Sequence, residues 1–159
     1  MHLAGSFLRS VCDKATKVYI TEPSWSNHRA VFESAGFPVQ SYSYLDKLGK
    51  FDFANVVETL EQAQAGAIFV LHASAHNPSG CDPSADQWRQ MASIMEKKRL
   101  FPLFDAAYLG LTSGDFDADA FAIRYFIHER KMEAAVCLSF AKNMGLYGKN
   151  EAGTSVEEA

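Results

Sequence analysis

One short stretch, AIFVL at residues 67–71, constrains the fold of this chain more than any other. It contains no polar residue, and its length and its branched and aromatic side chains favour a strand over a helix. A strand that is apolar at every position must be covered on both faces, which is typical of a parallel sheet with helices on either side. The stretch therefore predicts the central strand of an α/β sheet.

The rest of the chain alternates strand-like runs with stretches of helical period. Further strand-like runs lie at residues 17–20, 39–44, 100–104 and 134–140. A capping box at Ser84 and Gln87 and an N-cap at Asp52 mark two helix starts, and a later helix is predicted from about residue 117 to 126. This alternation predicts βαβ units in a three-layer α/β domain, whose mostly parallel sheet is flanked by helices.

The two ends of the chain differ in character. Leu3, Phe7 and Val11 recur at helical spacing, and the segment lacks the basic start and separate apolar core of a secretory signal, so we expect an amphipathic helix there. Residues 149–159 are polar and acidic without apolar period, which predicts a disordered tail. We therefore expect residues 1–148 to form the structured domain.

The composition limits the classes of partner. The chain of 159 residues has a net charge of −4 and a pI near 5.7, so it offers no basic surface for nucleic acid or for an anionic membrane. No apolar run reaches the roughly 18 residues that span a bilayer. Three widely spaced cysteines fit reduced thiols in an intracellular compartment better than a disulfide framework. No GxGxxG motif follows a strand, which disfavours a nucleotide-binding Rossmann domain.

Polar side chains follow three of the predicted strands at the point where each strand ends. His72 begins a polar segment after residues 67–71, Asp105 follows the next strand, and Lys142 follows the last. In open α/β sheets this edge faces the crevice where ligands bind, so we expect the three positions to form one site. A structural ion pair remains the alternative for any one of these charges.

The pairing of an amine with a carboxylate indicates a particular chemistry. A lysine in a partly desolvated pocket is a nucleophile toward aldehydes, and an aspartate keeps a pyridine nitrogen protonated. Lys142 and Asp105 therefore favour pyridoxal phosphate as the cofactor. Trp25 is placed to stack on the ring, and Asn77 and Tyr108 are placed to hydrogen-bond its phenolic oxygen. Taken alone, Trp25 and Tyr108 would more often be core or rim residues.

His72 and His76 raise the alternative of a metal site, because they are four residues apart. They follow a strand, however, and no glutamate lies between them as it does in helical zinc motifs. Buried, hydrogen-bonded histidines are the better interpretation, and we expect no metal.

Five longer stretches occur in an order and spacing that match one known family across nearly the whole chain. They are EPSWSNH at 22–28, HASAHNPSG at 72–80, FPLFDAAY at 101–108, AIRYF at 122–126 and SFAKNMGLYG at 139–148. Together they resemble the class I aspartate aminotransferases of the pyridoxal phosphate fold-type I group. The resemblance implies that residues 1–148 form a partial large domain of that fold, and that the protein is a homodimer.

The resemblance also implies roles for the residues at the strand ends. Lys142, Asp105 and Tyr108 would be catalytic, with Lys142 forming a Schiff base with pyridoxal 5′-phosphate and then moving the substrate proton. Asp105 would pair with the pyridine nitrogen, while Asn77 and Tyr108 would hydrogen-bond the phenolate oxygen. Trp25 would stack on the ring, and Trp25 and Asn77 would also contact the substrate.

The remaining roles implied by the resemblance concern support, phosphate binding and substrate. His28 would steady Asp105, and Ser139 would bind the cofactor phosphate. The implied reaction transfers an amino group between L-aspartate and 2-oxoglutarate, so aspartate, glutamate and their 2-oxo acids would be the small-molecule substrates. Members of the family occur in the cytoplasm and, alternatively, in mitochondria.

The sequence departs from the family around the phosphate group. The family's phosphate-binding glycine loop would precede His2, and its phosphate-binding arginine is replaced here by Asn150, beside Lys149. The arginines that bind the substrate carboxylates are also absent. The alternative to a transaminase is therefore a catalytically inactive chain that retains part of the fold and pairs with a full-length homologue.

Overall fold

The sheet has six strands and is built as the apolar runs predict. In the computed structural model, which describes residues 1–147 and 152–157, the strand order is β2-β1-β3-β4-β5-β6. The first five strands are parallel and β6 is antiparallel. The strands are β1 Val18–Glu22, β2 Val39–Ser43, β3 Ile68–His72, β4 Phe101–Ala106, β5 Ala134–Ser139 and β6 Ala152–Glu157. The predicted α/β class and mostly parallel sheet are confirmed.

Helices connect the parallel strands and cover both faces of the sheet. They are α1 His2–Val11, α2 Asn27–Ser34, α3 Phe53–Gln62, α4 Ala85–Lys98, α5 Phe116–Asp119 and α6 Phe121–Arg124, followed by a π-helical turn at Tyr125–Glu129. The capping box of α4 is formed in both directions between Ser84 and Gln87, and the Asp52 side chain accepts from the backbone N–H of Asn55. Both predicted helix starts are confirmed. Among the described residues, no helix is long and apolar enough to cross a membrane.

The core lies in two layers, one on each face of β3. Phe69 and Leu71 pack toward α3 and α4, whereas Ile68 and Val70 pack toward α1 and α2. All residues of β3 are buried, as the run at 67–71 predicts. Burying one large apolar side chain contributes about 1.5–3 kcal/mol, so this double-sided strand stabilises both layers at once.

Two predicted elements differ from the structure. The single helix predicted from about residue 117 to 126 is broken into α5, α6 and the π-helical turn, since Ala120 leaves helical geometry with φ −85° and ψ 6°. The strand predicted at 100–104 continues to Ala106, so Asp105 lies within β4 and not after it. Side chains alternate along a strand, and Asp105 therefore shares a face with Leu103.

The predicted disordered tail is wrong over residues 152–157, which form β6. This strand pairs with β5 from Ala134 opposite Glu157 to Ser139 opposite Ala152. Backbone N–H and C=O groups at the edge of a sheet can pair with any extended segment, so a polar composition does not prevent a strand there. The predicted departures at Lys149 and Asn150 lie outside the described residues.

Candidate active site

The polar ends of the three central strands lie side by side at the carboxyl edge of the sheet. His72 is in register with Asp105, and Asp105 is in register with Cys137 on β5. The backbone N–H of Ala73 donates to the carbonyl of Asp105 at 2.9 Å, which holds the ends of β3 and β4 together. The turn that carries Lys142 follows β5 at the same edge. The structure therefore brings the three predicted positions together.

A cavity of about 620 Å³ opens between these strand ends and helices α1 and α2. Its walls include Trp25, Asp105, Ser139 and Lys142. This volume lies within the usual range for small-molecule sites. The amine and the carboxylate that the sequence singled out therefore face one shared space.

Each of the other predicted site residues contacts a residue at the strand ends or on the cavity wall. His28 is fully buried and reaches the cavity through Asp105. Asn77 is half-buried beside His72, whose Nδ1 accepts its backbone N–H at 3.3 Å. The ring of Tyr108 lies below the amine of Lys142, with Nζ 4.8 Å from the ring centroid, a distance that suits a cation–π contact.

Asp105 is held by a hydrogen-bonded relay that runs away from the cavity. Its Oδ2 lies 2.8 Å from His28 Nε2, and His28 Nδ1 lies 2.9 Å from the Ser24 hydroxyl. An ionised carboxylate only accepts, so Nε2 carries the proton, and in the neutral ring Nδ1 accepts from Ser24. Burial raises the pKa of Asp105, but the hydrogen bond and charge interaction with His28 lower it by more. Asp105 is therefore a carboxylate at neutral pH, suited to hold a protonated ring nitrogen.

His72 is a neutral spacer between this relay and the Asn77 loop. Its ring centroid is 5.0 Å from that of His28 and 4.3 Å from that of His76. Burial, together with the neighbouring His76 and His28, lowers the pKa of His72 to about 3. Because Nδ1 accepts from Asn77, the proton of the neutral ring is on Nε2.

His76 is held in a separate hydrogen-bonded pocket. Its Nε2 lies 2.9 Å from the Thr21 hydroxyl, its Nδ1 lies 2.7 Å from the Ser79 hydroxyl, and its ring stacks on Tyr44. Burial is the main cause that lowers its pKa, to about 4. Both ring nitrogens of His76 are occupied by hydroxyl groups. Within the described residues, no three His, Cys, Asp or Glu side chains come together as metal ligands.

These two histidines lead us to expect a steep loss of stability as the pH falls below about 6.5, where an exposed histidine titrates. With folded pKa values of about 3 and about 4, His72 and His76 stay neutral while the unfolded chain binds up to two protons. The free energy of unfolding then falls by up to about 2.7 kcal/mol per pH unit over this window. The lowered pKa of Asp105 adds to the loss only below its ordinary value of 3.8.

Urea unfolding at about pH 7.5, 5.5 and 4.5 measures this dependence. Replacing His76 by Asn is expected to remove about half of the slope, whereas the same change at the exposed His128 is expected to leave it intact. A free energy of unfolding that stays constant from neutral pH to about 4.5 would contradict the assignment.

Sequence reasoning missed two contributors to the site. Ser24 completes the relay behind Asp105, and Cys137 lines the cavity next to it. Ser24 precedes His28 by four residues in a turn, which gives no periodic pattern. Cys137 could have been predicted, because residues two apart on a strand share a face and Ser139 was already assigned to the site.

A match to a known family covers most of the chain. Residues 2–150 match the family model described as aminotransferase class I and II. The chain belongs to this aminotransferase family. The matched range includes every strand end that lines the cavity.

Individual relatives agree with this assignment. The aminotransferase chain is 44% identical over 144 residues to cytoplasmic aspartate aminotransferase of Gallus gallus, covering 89% of this chain and 35% of that protein. It superposes on aspartate aminotransferase of Trypanosoma cruzi with a TM-score of 0.94 and 38% identity, covering 99% of this chain and 40% of the other. The aromatic-amino-acid aminotransferase of Burkholderia pseudomallei, solved covalently bound to pyridoxal phosphate, gives 0.95 and 37%, covering 99% and 39%. This chain thus spans well under half of these relatives, and within that part the predicted fold-type I architecture is confirmed.

Proposed function

We propose that this aminotransferase chain binds pyridoxal 5′-phosphate in the 620 Å³ cavity and takes part in amino-group transfer between L-aspartate and 2-oxoglutarate. The observation that carries the proposal is that Lys142 and Asp105 line one cavity. The side chains there suit this cofactor: a carboxylate for the ring nitrogen, an amine for the aldehyde, and the Ser139 hydroxyl for the phosphate. Residues 1–148 would be the cofactor-binding part of the large domain.

The charged residues of the cavity have complementary tasks. When bound, pyridoxal phosphate supplies an aldehyde that links to an amine and a ring that accepts the electrons of a breaking Cα–H bond. The Asp105 carboxylate holds a proton on the ring nitrogen, and His28 keeps that carboxylate ionised and oriented. Lys142 Nζ would hold the cofactor through its aldehyde and, once the substrate amine has released it, would be the base that moves the substrate's Cα proton.

The uncharged residues orient the ring and exclude water. Trp25 lies on the cavity wall, edge-on to His28, and offers its face for stacking. Asn77 and Tyr108 would donate hydrogen bonds to the cofactor's phenolic oxygen. Trp25 and Asn77 would also contact the substrate.

The choice of substrate and compartment follows the relatives. Relatives at 44% and 38% identity are aspartate aminotransferases, so we propose aspartate, glutamate and their 2-oxo acids as substrates. We propose the cytoplasm as the compartment, because the relative from Gallus gallus is a cytoplasmic enzyme, with mitochondria as the alternative. We also propose that the protein is a homodimer.

The proposal predicts a visible absorbance band when the purified chain is mixed with pyridoxal phosphate, because the bound cofactor is linked to an amine. Adding L-aspartate should bleach the band and release oxaloacetate, and adding 2-oxoglutarate should restore it. D-aspartate is the control: its Cα proton would point in a different direction, so it should not bleach the band. A band that forms but does not respond to either L-aspartate or L-glutamate would reject the proposed substrates.

A second candidate function rests on an exposed apolar surface. Leu3, Phe7 and Val11 on α1 are 75%, 49% and 63% exposed, and a largely apolar cavity of about 610 Å³ lies beneath the end of that helix. Such a surface favours burial against another polypeptide. The alternative is therefore a catalytically inactive chain that pairs with a full-length aminotransferase. Co-purification with such a homologue, without turnover by this chain alone, would favour it.

A further inference from the structure

We infer that two aspartates outside the cofactor cavity, Asp82 and Asp119, are positioning residues that hold Asn77 and Tyr108 in place. The inference rests on the proposed function for the identity of the cofactor. Asn77 and Tyr108 are presented by the loops after β3 and β4. Loops of this kind need a fixed anchor if a hydrogen-bond donor is to point at one atom of a ligand, because a misplacement of about 1 Å costs much of its effect.

Asp82 anchors the first loop at the turn just before Asn77. Its two carboxylate oxygens accept the backbone N–H groups of Ala75 at 2.6 Å and of His76 at 2.8 Å. Ala75 has a positive φ of 49°, a left-handed conformation that costs a non-glycine residue about 1 kcal/mol or more. The two charge-assisted hydrogen bonds offset this strain and fix the direction in which the chain enters Asn77.

Asp119 anchors the second loop just after Tyr108. Its carboxylate accepts backbone N–H groups from Gly110 at 2.9 Å, Thr112 at 3.0 Å and Ser113 at 3.1 Å. Burial raises the pKa of Asp119, but hydrogen bonding with the Ser113 side chain and with these backbone N–H groups lowers it by more, so the group is ionised at neutral pH. A single carboxylate therefore organises the loop that begins at Tyr108.

The two anchors lie apart from the cofactor cavity and close to each other. Both line a smaller cavity of about 420 Å³ with Trp88 and Ala122, which belong to the core layer on the α4 side of the sheet. The cofactor cavity is lined instead by residues of α1 and α2. Asp82 and Asp119 can thus affect the cofactor only through the loops that they hold.

Replacing Asp82 or Asp119 by asparagine is the sharpest test, because the shape is kept and one acceptor becomes an NH₂ donor. In Asp82→Asn, the backbone N–H of Ala75 or of His76 then faces an NH₂ donor in place of an acceptor. The turn should move to relieve this contact, and the position of Asn77 should change with it. Asp86→Asn is the matched control, since Asp86 is 84% exposed and pairs with Arg89. Ala75→Gly in the Asp82→Asn background is expected to restore part of the loss, because glycine adopts a positive φ without strain.

The first readout uses the full chain without cofactor. In two-dimensional NMR spectra, Asp82→Asn should shift the side-chain amide peaks of Asn77, and Asp119→Asn should shift the ring peaks of Tyr108. Asp86→Asn should shift neither. Unmoved peaks of Asn77 and Tyr108 in the two anchor variants would overturn the inference, whether or not the chain binds pyridoxal phosphate.

The second readout uses the protein loaded with pyridoxal phosphate. The pH at which the visible band loses half its intensity should rise by about one unit in Asp82→Asn, because a donor to the phenolic oxygen stabilises its deprotonated form. Combining Asp82→Asn with Asp119→Asn should raise the midpoint further, and Asp86→Asn should match the original chain. Unchanged pH midpoints in the anchor variants would overturn the inference. Absence of the band from the original chain would instead reject the proposed function, and the cofactor-free spectra would still decide the role of the anchors.

Discussion

Replacing Lys142 by alanine is expected to slow the conversion of L-aspartate by at least about 10³-fold, the usual contribution of a positioned acid–base group. The amine lies on the cavity wall that also carries Asp105, and its Nζ is 4.8 Å from the Tyr108 ring. Without it, the cofactor aldehyde has no lysine amine to bond to and the substrate's Cα proton has no base to accept it. The rate at which oxaloacetate is released from L-aspartate by the protein mixed with pyridoxal phosphate measures the loss.

Two further variants separate the amine from its charge. Lys142→Arg keeps a cation over Tyr108 but does not provide a nucleophilic amine, so its rate should be as low as that of Lys142→Ala. Lys14→Ala, at an exposed position of the chain, should react like the original protein. A rate near the original value in Lys142→Arg would show that the amine is not the reacting group.

Replacing Asp105 by alanine is expected to lower the free energy of unfolding by about 2–4 kcal/mol. The change leaves the fully buried His28 without the acceptor that lies 2.8 Å from its Nε2. Asp105→Asn retains an oxygen acceptor and should cost much less stability, yet its neutral amide cannot hold a proton on the ring nitrogen. We therefore expect Asp105→Asn to fold and to lose most of its activity with L-aspartate.

Urea unfolding and single-turnover bleaching on the same two variants distinguish structure from chemistry. Asp105→Ala should lose both stability and activity, whereas Asp105→Asn should lose mainly activity. Full activity in a folded Asp105→Asn protein would mean that the carboxylate serves the fold alone. Glu61→Gln, at an exposed position on α3, provides the control for removing one negative charge.

The elements that could be predicted from the sequence are those whose position depends on side-chain burial or on side-chain hydrogen bonds. β3 was predictable because every residue of it is buried, and α4 because its capping box uses the side chains of both Ser84 and Gln87. β6 was not predictable, since its position depends on the unpaired backbone edge of β5, which no side-chain period records. The break between α5 and α6 was missed for a similar reason: it depends on the backbone at Ala120.

In the candidate site, too, the residues with a side-chain signal could be predicted and those that act through backbone contacts could not. Asp105 and Lys142 stand out because a charge at the end of an apolar run is costly unless it has a partner or a task. Asp82 and Asp119 have ordinary polar neighbours in the sequence, and their importance lies in the backbone N–H groups that they accept. Contacts to the backbone leave no residue pattern, so only the folded arrangement reveals them.

The most direct test of the central claim is the site of covalent attachment. The chain is loaded with pyridoxal phosphate, reduced with borohydride, digested and analysed by mass spectrometry. The shared cavity of Lys142 and Asp105 predicts that the stable label is found on Lys142 and disappears in Lys142→Ala. A label spread over exposed lysines, or concentrated on a lysine outside this cavity, would contradict the account.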